Sequence, residues 1–206
     1  DLLRISVAGA GNDHRLGAHE APPAVVSIFL GAELTGILEA IENDVAYDAK
    51  EKELLRIGVH TLPKFPKDTT DRNRTSPFAF TGNKFEFRML GSSASISEAN
   101  TVLNTAVAEV LRQFADTLEN AKDFNAALQN LIKEVIVKHK RIIFNGNGYD
   151  EKWLQEAEKR GLLNLKTTPD ALARYLDEKN VELFTSHKVY TEKEMRSRHE
   201  IFLENY

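Results

Sequence analysis

From Lys84 to Met89 charged and apolar side chains alternate, with Lys84, Glu86 and Arg88 on one parity and Phe85, Phe87 and Met89 on the other. A period of two is the pattern of a strand, and it predicts an apolar face turned into a core and a row of alternating charge turned to solvent or a cavity. Residues two apart on one face are roughly 6.5 to 7 Å apart. At that separation two cations flank Glu86 without pairing tightly to it. The apolar stretches Leu2 to Ala8 and Ala24 to Leu30 predict two more strands. Between them Gly9, Gly11 and Gly17 and the stiff exit Pro22-Pro23 mark a loop dense in titratable groups, including Arg15, His19 and Glu20. A loop held between strands is a frequent carrier of binding groups.

The rest of the chain changes period. Leu34, Ile37, Leu38 and Ile41 predict a short helix over 32–43. Pro63 and Pro66 among charged residues predict a connecting insertion loop over 43–70. Ser95 with Glu98 reads as a capping box opening a long helix, whose apolar stripe includes Val102, Ala106, Val110, Phe114 and Leu118. Asp123 caps a second helix bearing Leu128, Leu131, Ile132, Val135 and Ile136, and this runs into the basic cluster Lys138 to Arg141, favourable at a helix C-terminus. Asn145-Gly146-Asn147-Gly148 is a turn; Asp150, Thr168-Pro169 and Thr191 with Glu194 open three more helices. Trp153, Tyr175, Phe184 and Tyr190 are expected in the core. The predicted class is α+β, with strands and loops over 1–92 followed by a mainly helical extension at 93–206.

Composition narrows the function. The 206 residues are 42% hydrophobic and 28% charged, enough for one sizeable core or two modest ones. A net charge of −4 gives no general attraction to nucleic acid, and no apolar run approaches a bilayer-spanning length. The absence of cysteine excludes disulfides and thiolate metal sites and is compatible with a cytoplasmic location, which is the one expected.

The charged strand is the leading chemical candidate. Glu86 offers a hard oxygen ligand of the kind Mg²⁺ or Mn²⁺ takes, while Arg88 and Lys84 suit phosphate or carboxylate oxygens, the first as a fork and the second as a point charge. Arg72 and Arg74 add two guanidinium groups just upstream. Gly-x-Gly-Asn alone does not make a phosphate loop, and no Rossmann or P-loop pattern follows it. His14 and His19, five residues apart, do not share a helical face and give no zinc site.

Three segments, Asn12 to Pro23, Arg72 to Ser76 and Lys84 to Arg88, in that order, resemble the C-terminal part of the glutamine synthetase catalytic domain, most closely its type III branch. The resemblance is firm over residues 5–95, and it implies that residues 1–92 are the C-terminal part of the catalytic domain, with antiparallel strands of its β-sheet. It implies ATP-dependent ligation of ammonium to L-glutamate through a γ-glutamyl phosphate, with Mg²⁺ or Mn²⁺ as metal and ATP as co-substrate. It further implies that Glu86 is a metal ligand, that Arg15 and Arg88 bind the substrate glutamate and that Glu20 closes the site and takes a proton from ammonium. Arg74 and Lys84 would contact the nucleotide, with Arg74 also catalytic. Lys84 stands where arginine is commoner in that family, and Pro77 to Phe80 occupy a stretch where a further arginine is usual. The implied parent is a homo-oligomer, a dodecamer of stacked hexamers.

The resemblance also places several metal-binding carboxylates upstream of residue 1. The chain is therefore expected to be a piece of a longer enzyme and to be inactive alone. The alternatives are a non-catalytic helical assembly module and a related glutamate–amine ligase.

Overall fold

The computed structural model describes residues 1–18, 21–47, 54–55, 65–66 and 73–206. Its first element is not the expected strand. Leu2–Ile5 is a single helical turn, α1, capped by the Asp1 carboxylate, which accepts from the Leu2 N–H. The reason lies in spacing: Leu2 and Ile5, three apart, enter the same core in a helix, and the intervening Arg4 reaches backbone carbonyls of a distant segment. A second turn, α2, spans Ala10–Asp13. Of the expected strand over 24–30, only Ile28–Phe29 pairs, as β1. Gly31–Glu42 is α3, and Leu54–Leu55 and Phe65–Pro66 form an antiparallel pair, β2 and β3, within the stretch expected as a loop.

Phe78–Phe80, β4, and Phe85–Phe87, β5, complete a three-stranded sheet in the order β1-β4-β5. β4 runs parallel to β1, with Ile28 opposite Phe78, and antiparallel to β5, with Ala79 opposite Glu86. Beyond β1, Ile143 makes a parallel bridge to Ile28, and the Phe144 N–H donates to the Ile28 carbonyl at 2.9 Å.

The helical half follows its pattern closely. Ile96–Leu118 is α4 and Phe124–His139 is α5; Ser95 and Asp123 cap them through the N–H groups of Ser97 and Ala126. Glu98 does not close the expected capping box, and its carboxylate takes Arg198 at 2.8 Å. A 3-10 turn, Lys140–Ile142, ends α5. Then come α6 (Glu151–Lys159), α7 (Thr168–Leu172), α8 (Glu178–Ser186) and α9 (Glu192–Glu204). Of these last four helices α8 alone was unanticipated.

Two cores hold these elements. One gathers Leu2 and Ile5 with Val102, Ala171, Leu172, Tyr175, Phe184 and Met195. The other packs Val25 against Trp153 and Ala157, with Phe144 stacked on Trp153 at 3.8 Å between ring centroids. Trp153, Tyr175 and Phe184 are buried as expected, and Tyr190 lies partly buried against the first core. Both cores draw residues from either side of residue 92. No helix among the described residues is long and apolar enough to cross a membrane.

Candidate active site

The β4–β5 hairpin carries the charged row, and it differs from expectation on both faces. Phe85 is 49% exposed, stacks on Phe78 and lies tilted against Phe80, with centroids 5.6 and 5.2 Å away, in an aromatic layer open to solvent rather than in a core. Phe87 and Met89 are half-buried. The three-residue strands are too short to bring a second layer over that face.

On the other face Glu86 is tightly paired. Its Oε2 accepts from Arg88 Nε at 3.1 Å and Nη2 at 2.8 Å, and its Oε1 lies 3.4 Å from Lys84 Nζ. The strand spacing separates the Cα atoms, but long side chains close that gap where the charges are opposite. Hydrogen bonds from Arg88, reinforced by Lys84, hold the Glu86 carboxyl below the usual carboxylate range. Arg88 also donates from Nη1 to the Asn73 carbonyl at 2.6 Å. A guanidinium has five N–H donors, and among the described residues this one spends three of them, which leaves others for oxygens of a ligand.

Asn73 links the upstream element to that strand. Its Oδ1 accepts from the Thr75 N–H at 2.9 Å and the Thr75 hydroxyl at 2.7 Å, an Asx turn that brackets the exposed Arg74. The N-terminal loop is brought to the segment just past that strand by Asn12, whose Nδ2 donates to the carbonyls of Val7 at 2.9 Å and Leu90 at 3.2 Å. Arg15, exposed, follows Asn12 by one turn, with its N–H donating to the Asn12 carbonyl at 3.0 Å. Hydrogen bonds from the Asn12 and Arg88 side chains to backbone carbonyls thus join the Arg15 loop, the Arg74 turn and the end of the β5 segment. Glu20, His19 and Arg72 lie outside the described residues.

The metal implied by the resemblance does not fit these residues by themselves. Mg²⁺ and Mn²⁺ take several hard oxygens, and no group of three or more metal-ligating side chains occurs among the described residues. Glu86 is a single carboxylate with cations against both oxygens.

Below the loop lies a buried polar cluster that sequence patterning did not single out. Arg4, 1% exposed, pairs with Asp13 at 2.5 Å and donates from Nε to the Leu165 carbonyl at 2.7 Å. Asp13 also accepts from the Thr168 N–H at 2.5 Å and hydroxyl at 2.8 Å. Burial opposes charge on Asp13, but the bonds from Thr168 and Arg4 outweigh it and hold the carboxyl below its usual range. The first turn of α7 therefore anchors the loop that carries Arg15. An Arg at an apolar helical position was the available signal.

A family model described as the glutamine synthetase C-terminal domain matches residues 127–206. The whole chain aligns with the type-3 glutamine synthetase of Dictyostelium discoideum at 47% identity, covering 28% of that protein. It aligns equally completely with glutamine synthetases of Butyrivibrio fibrisolvens, at 46% identity, and Bacteroides fragilis (strain YCH46), at 43%, covering 29% of each. The chain thus spans less than a third of the length of the curated relatives it matches. Three ordered motif segments are thus joined by hydrogen bonds in a chain whose residues 127–206 match the glutamine synthetase C-terminal domain and whose whole length is similar to part of these glutamine synthetases.

Proposed function

We propose that the whole protein is an ATP-dependent glutamate–ammonia ligase and that this chain supplies one wall of its active site. The observation that carries the reading is the end-to-end identity of 43 to 47% with proteins named glutamine synthetase. The bonds from Arg88 to Asn73 and from Asn12 to Leu90, which unite the motif segments, support it.

In this reaction a γ-carboxylate oxygen of glutamate attacks the terminal phosphorus of ATP and ADP leaves; the nitrogen of ammonia then attacks the acyl carbon and phosphate leaves. Both steps load negative charge on transferring oxygens, and fixed guanidinium groups stabilise it. Arg15 holds the substrate carboxylate, and Arg88 turns its remaining donors to the γ-carboxylate and its phosphate. Glu86 orients Arg88. Arg74 and Lys84 neutralise nucleotide phosphates, and Glu20 closes over the site and accepts a proton from ammonium. A glutamate in that place works only with water excluded, since the acyl phosphate otherwise hydrolyses. ATP, Mg²⁺ or Mn²⁺, a homo-oligomeric assembly and a cytoplasmic location belong to this proposal for the whole protein.

The test is phosphate release by the full-length protein with glutamate and ATP, with ammonium and then with alternative amines. Ammonium is expected to support turnover best, and Arg74→Ala to lower kcat about a hundredfold. Turnover supported only by another amine would identify a glutamate–amine ligase, and none with any amine would sink the proposal. An assembly role for the helical half has its own support in the exposed side chains of Val107, Val110 and Leu111 on α4.

A further inference from the structure

The turn at 145–148 does more than reverse the chain. Asn145 Oδ1 accepts from the N–H groups of Leu30 and Gly31, both at 3.1 Å, and so caps α3, whose own N-cap residue, Leu30, has no acceptor. One residue on, the Gly146 carbonyl accepts from Asn73 Nδ2 at 2.8 Å. The Gly148 N–H donates to the Thr75 hydroxyl at 2.7 Å. The approach is as close as glycine permits, because a Cβ on Gly148 would lie 2.6 Å from the Thr75 carbonyl oxygen.

Arg74 therefore sits between two residues that are each pinned to the same turn. Asn73 and Thr75 are also bonded to one another, and the Asn73 carbonyl is held by Arg88. Little freedom remains for the Arg74 backbone, so the direction in which its side chain leaves is set by residues 145–148. Those residues belong to the C-terminal domain by sequence.

We propose that Asn73, Thr75 and Gly148 are positioning residues for the nucleotide-phosphate contact of Arg74, and that the C-terminal domain governs nucleotide affinity through this turn. The inference rests on the reading of Arg74 as a nucleotide-binding arginine. A guanidinium on an unpinned turn still meets phosphate as a charge, but loses the fork alignment that makes the contact selective. The predicted defect is thus in nucleotide use before it is in folding.

The experiment uses the full-length enzyme and compares Thr75→Val, which cannot accept from Gly148, with Thr75→Ser, which can. The KM for ATP is expected to rise about tenfold in the valine variant, with melting temperature within a few degrees of wild type, and to return to near the wild-type value in the serine variant. Gly148→Ala, which touches neither Arg74 nor substrate, is expected to show the same rise. Should either fold poorly, Asn73→Ser keeps a local acceptor for the Thr75 N–H but cannot reach Gly146, and the same rise is expected of it. Folded variants with an unchanged KM for ATP and unchanged kcat, or a defect equal in Thr75→Ser and Thr75→Val, would overturn the proposal. If the wild-type enzyme consumes no ATP, the functional reading fails and this inference with it; an active wild type with indifferent variants removes the inference alone.

Discussion

Asp13 shows how a single residue ties the N-terminal loop to the helical half. It takes Arg4, the Thr168 N–H and the Thr168 hydroxyl at once, and it does so where Arg4 is almost wholly enclosed. Removing the charge would leave a buried guanidinium facing a neutral amide, and breaking a buried pair in that way costs about 3 kcal/mol or more. For Asp13→Asn in this chain the expected fall in Tm is therefore about 6–12 °C. The sign of the pH dependence follows from the depressed pKa. Because the folded carboxyl is more acidic than the unfolded one, at about 3.9, the stabilisation is complete above that value and fades as pH falls through the lower, folded value. Wild type should lose stability in that acid window more steeply than Asp13→Asn, and parallel urea melts across it would decide. Identical slopes would show that Asp13 does not carry the acid sensitivity. This cluster was illegible in the sequence because Arg4 and Asp13 find their partners 161 and 155 residues away, at Leu165 and Thr168. The alternation at Lys84 to Arg88 was legible as a strand, but not the pairing within it, since spacing locates Cα atoms and long side chains then follow charge.

At the scale of elements, the helices were far more legible than the strands. α4, α5, α6 and α9 begin at the residues whose side chains cap them, Ser95, Asp123, Asp150 and Thr191, because a capping oxygen and its target N–H lie within one turn. The strands are two or three residues long, and apolar runs of that kind fit a buried helical turn equally well, as at Leu2–Ile5. At the start of α9 the capping box is complete. The Thr191 hydroxyl accepts from the Glu194 N–H at 3.2 Å, and the Glu194 carboxylate accepts from the Thr191 N–H at 2.7 Å. The Thr191 N–H and the Thr191 hydroxyl, the latter at 2.8 Å, both donate to the Glu194 carboxylate and hold it below its usual range. α9 docks through Met195, fully buried, and through Arg198 on Glu98. Thr191→Ala is expected to cost about 1 kcal/mol, roughly 2–4 °C in Tm, and Thr191→Ser to restore most of it in a calorimetric scan. Equal melting of the alanine and serine variants would mean that the cap is not what holds this end of the helix.

Across the whole molecule, the sequence divides into a motif-bearing part before residue 93 and a helical part after it, yet the packing joins them. Leu2 and Ile5 sit in the core built by α4, α7, α8 and α9, and Val25 sits against Trp153 of α6. Polar seams cross the same line: Arg4 to the Leu165 and Lys166 carbonyls, Asn145 to the start of α3, and Lys133 within α5 and Lys140 at its C-cap to Asp44 and Glu42. Burying a Val, Leu or Ile side chain contributes about 1.5–3 kcal/mol, so the three apolar residues alone approach about 5–9 kcal/mol, comparable with the net stability of an ordinary domain. A chain starting at residue 93 should then keep much of its local helix, because the caps are internal to it, and lose the fixed surroundings of Trp153, Tyr175 and Phe184. Far-ultraviolet circular dichroism is expected to retain a strong helical signal while the near-ultraviolet bands of these aromatics weaken and the thermal transition broadens relative to the 206-residue chain. A sharp transition at the same temperature would show the opposite, that the helical half folds independently. That outcome would also bear on the site, because a C-terminal unit that folds alone would hold the Asn145 to Gly148 turn in shape before the Arg74 segment docks on it.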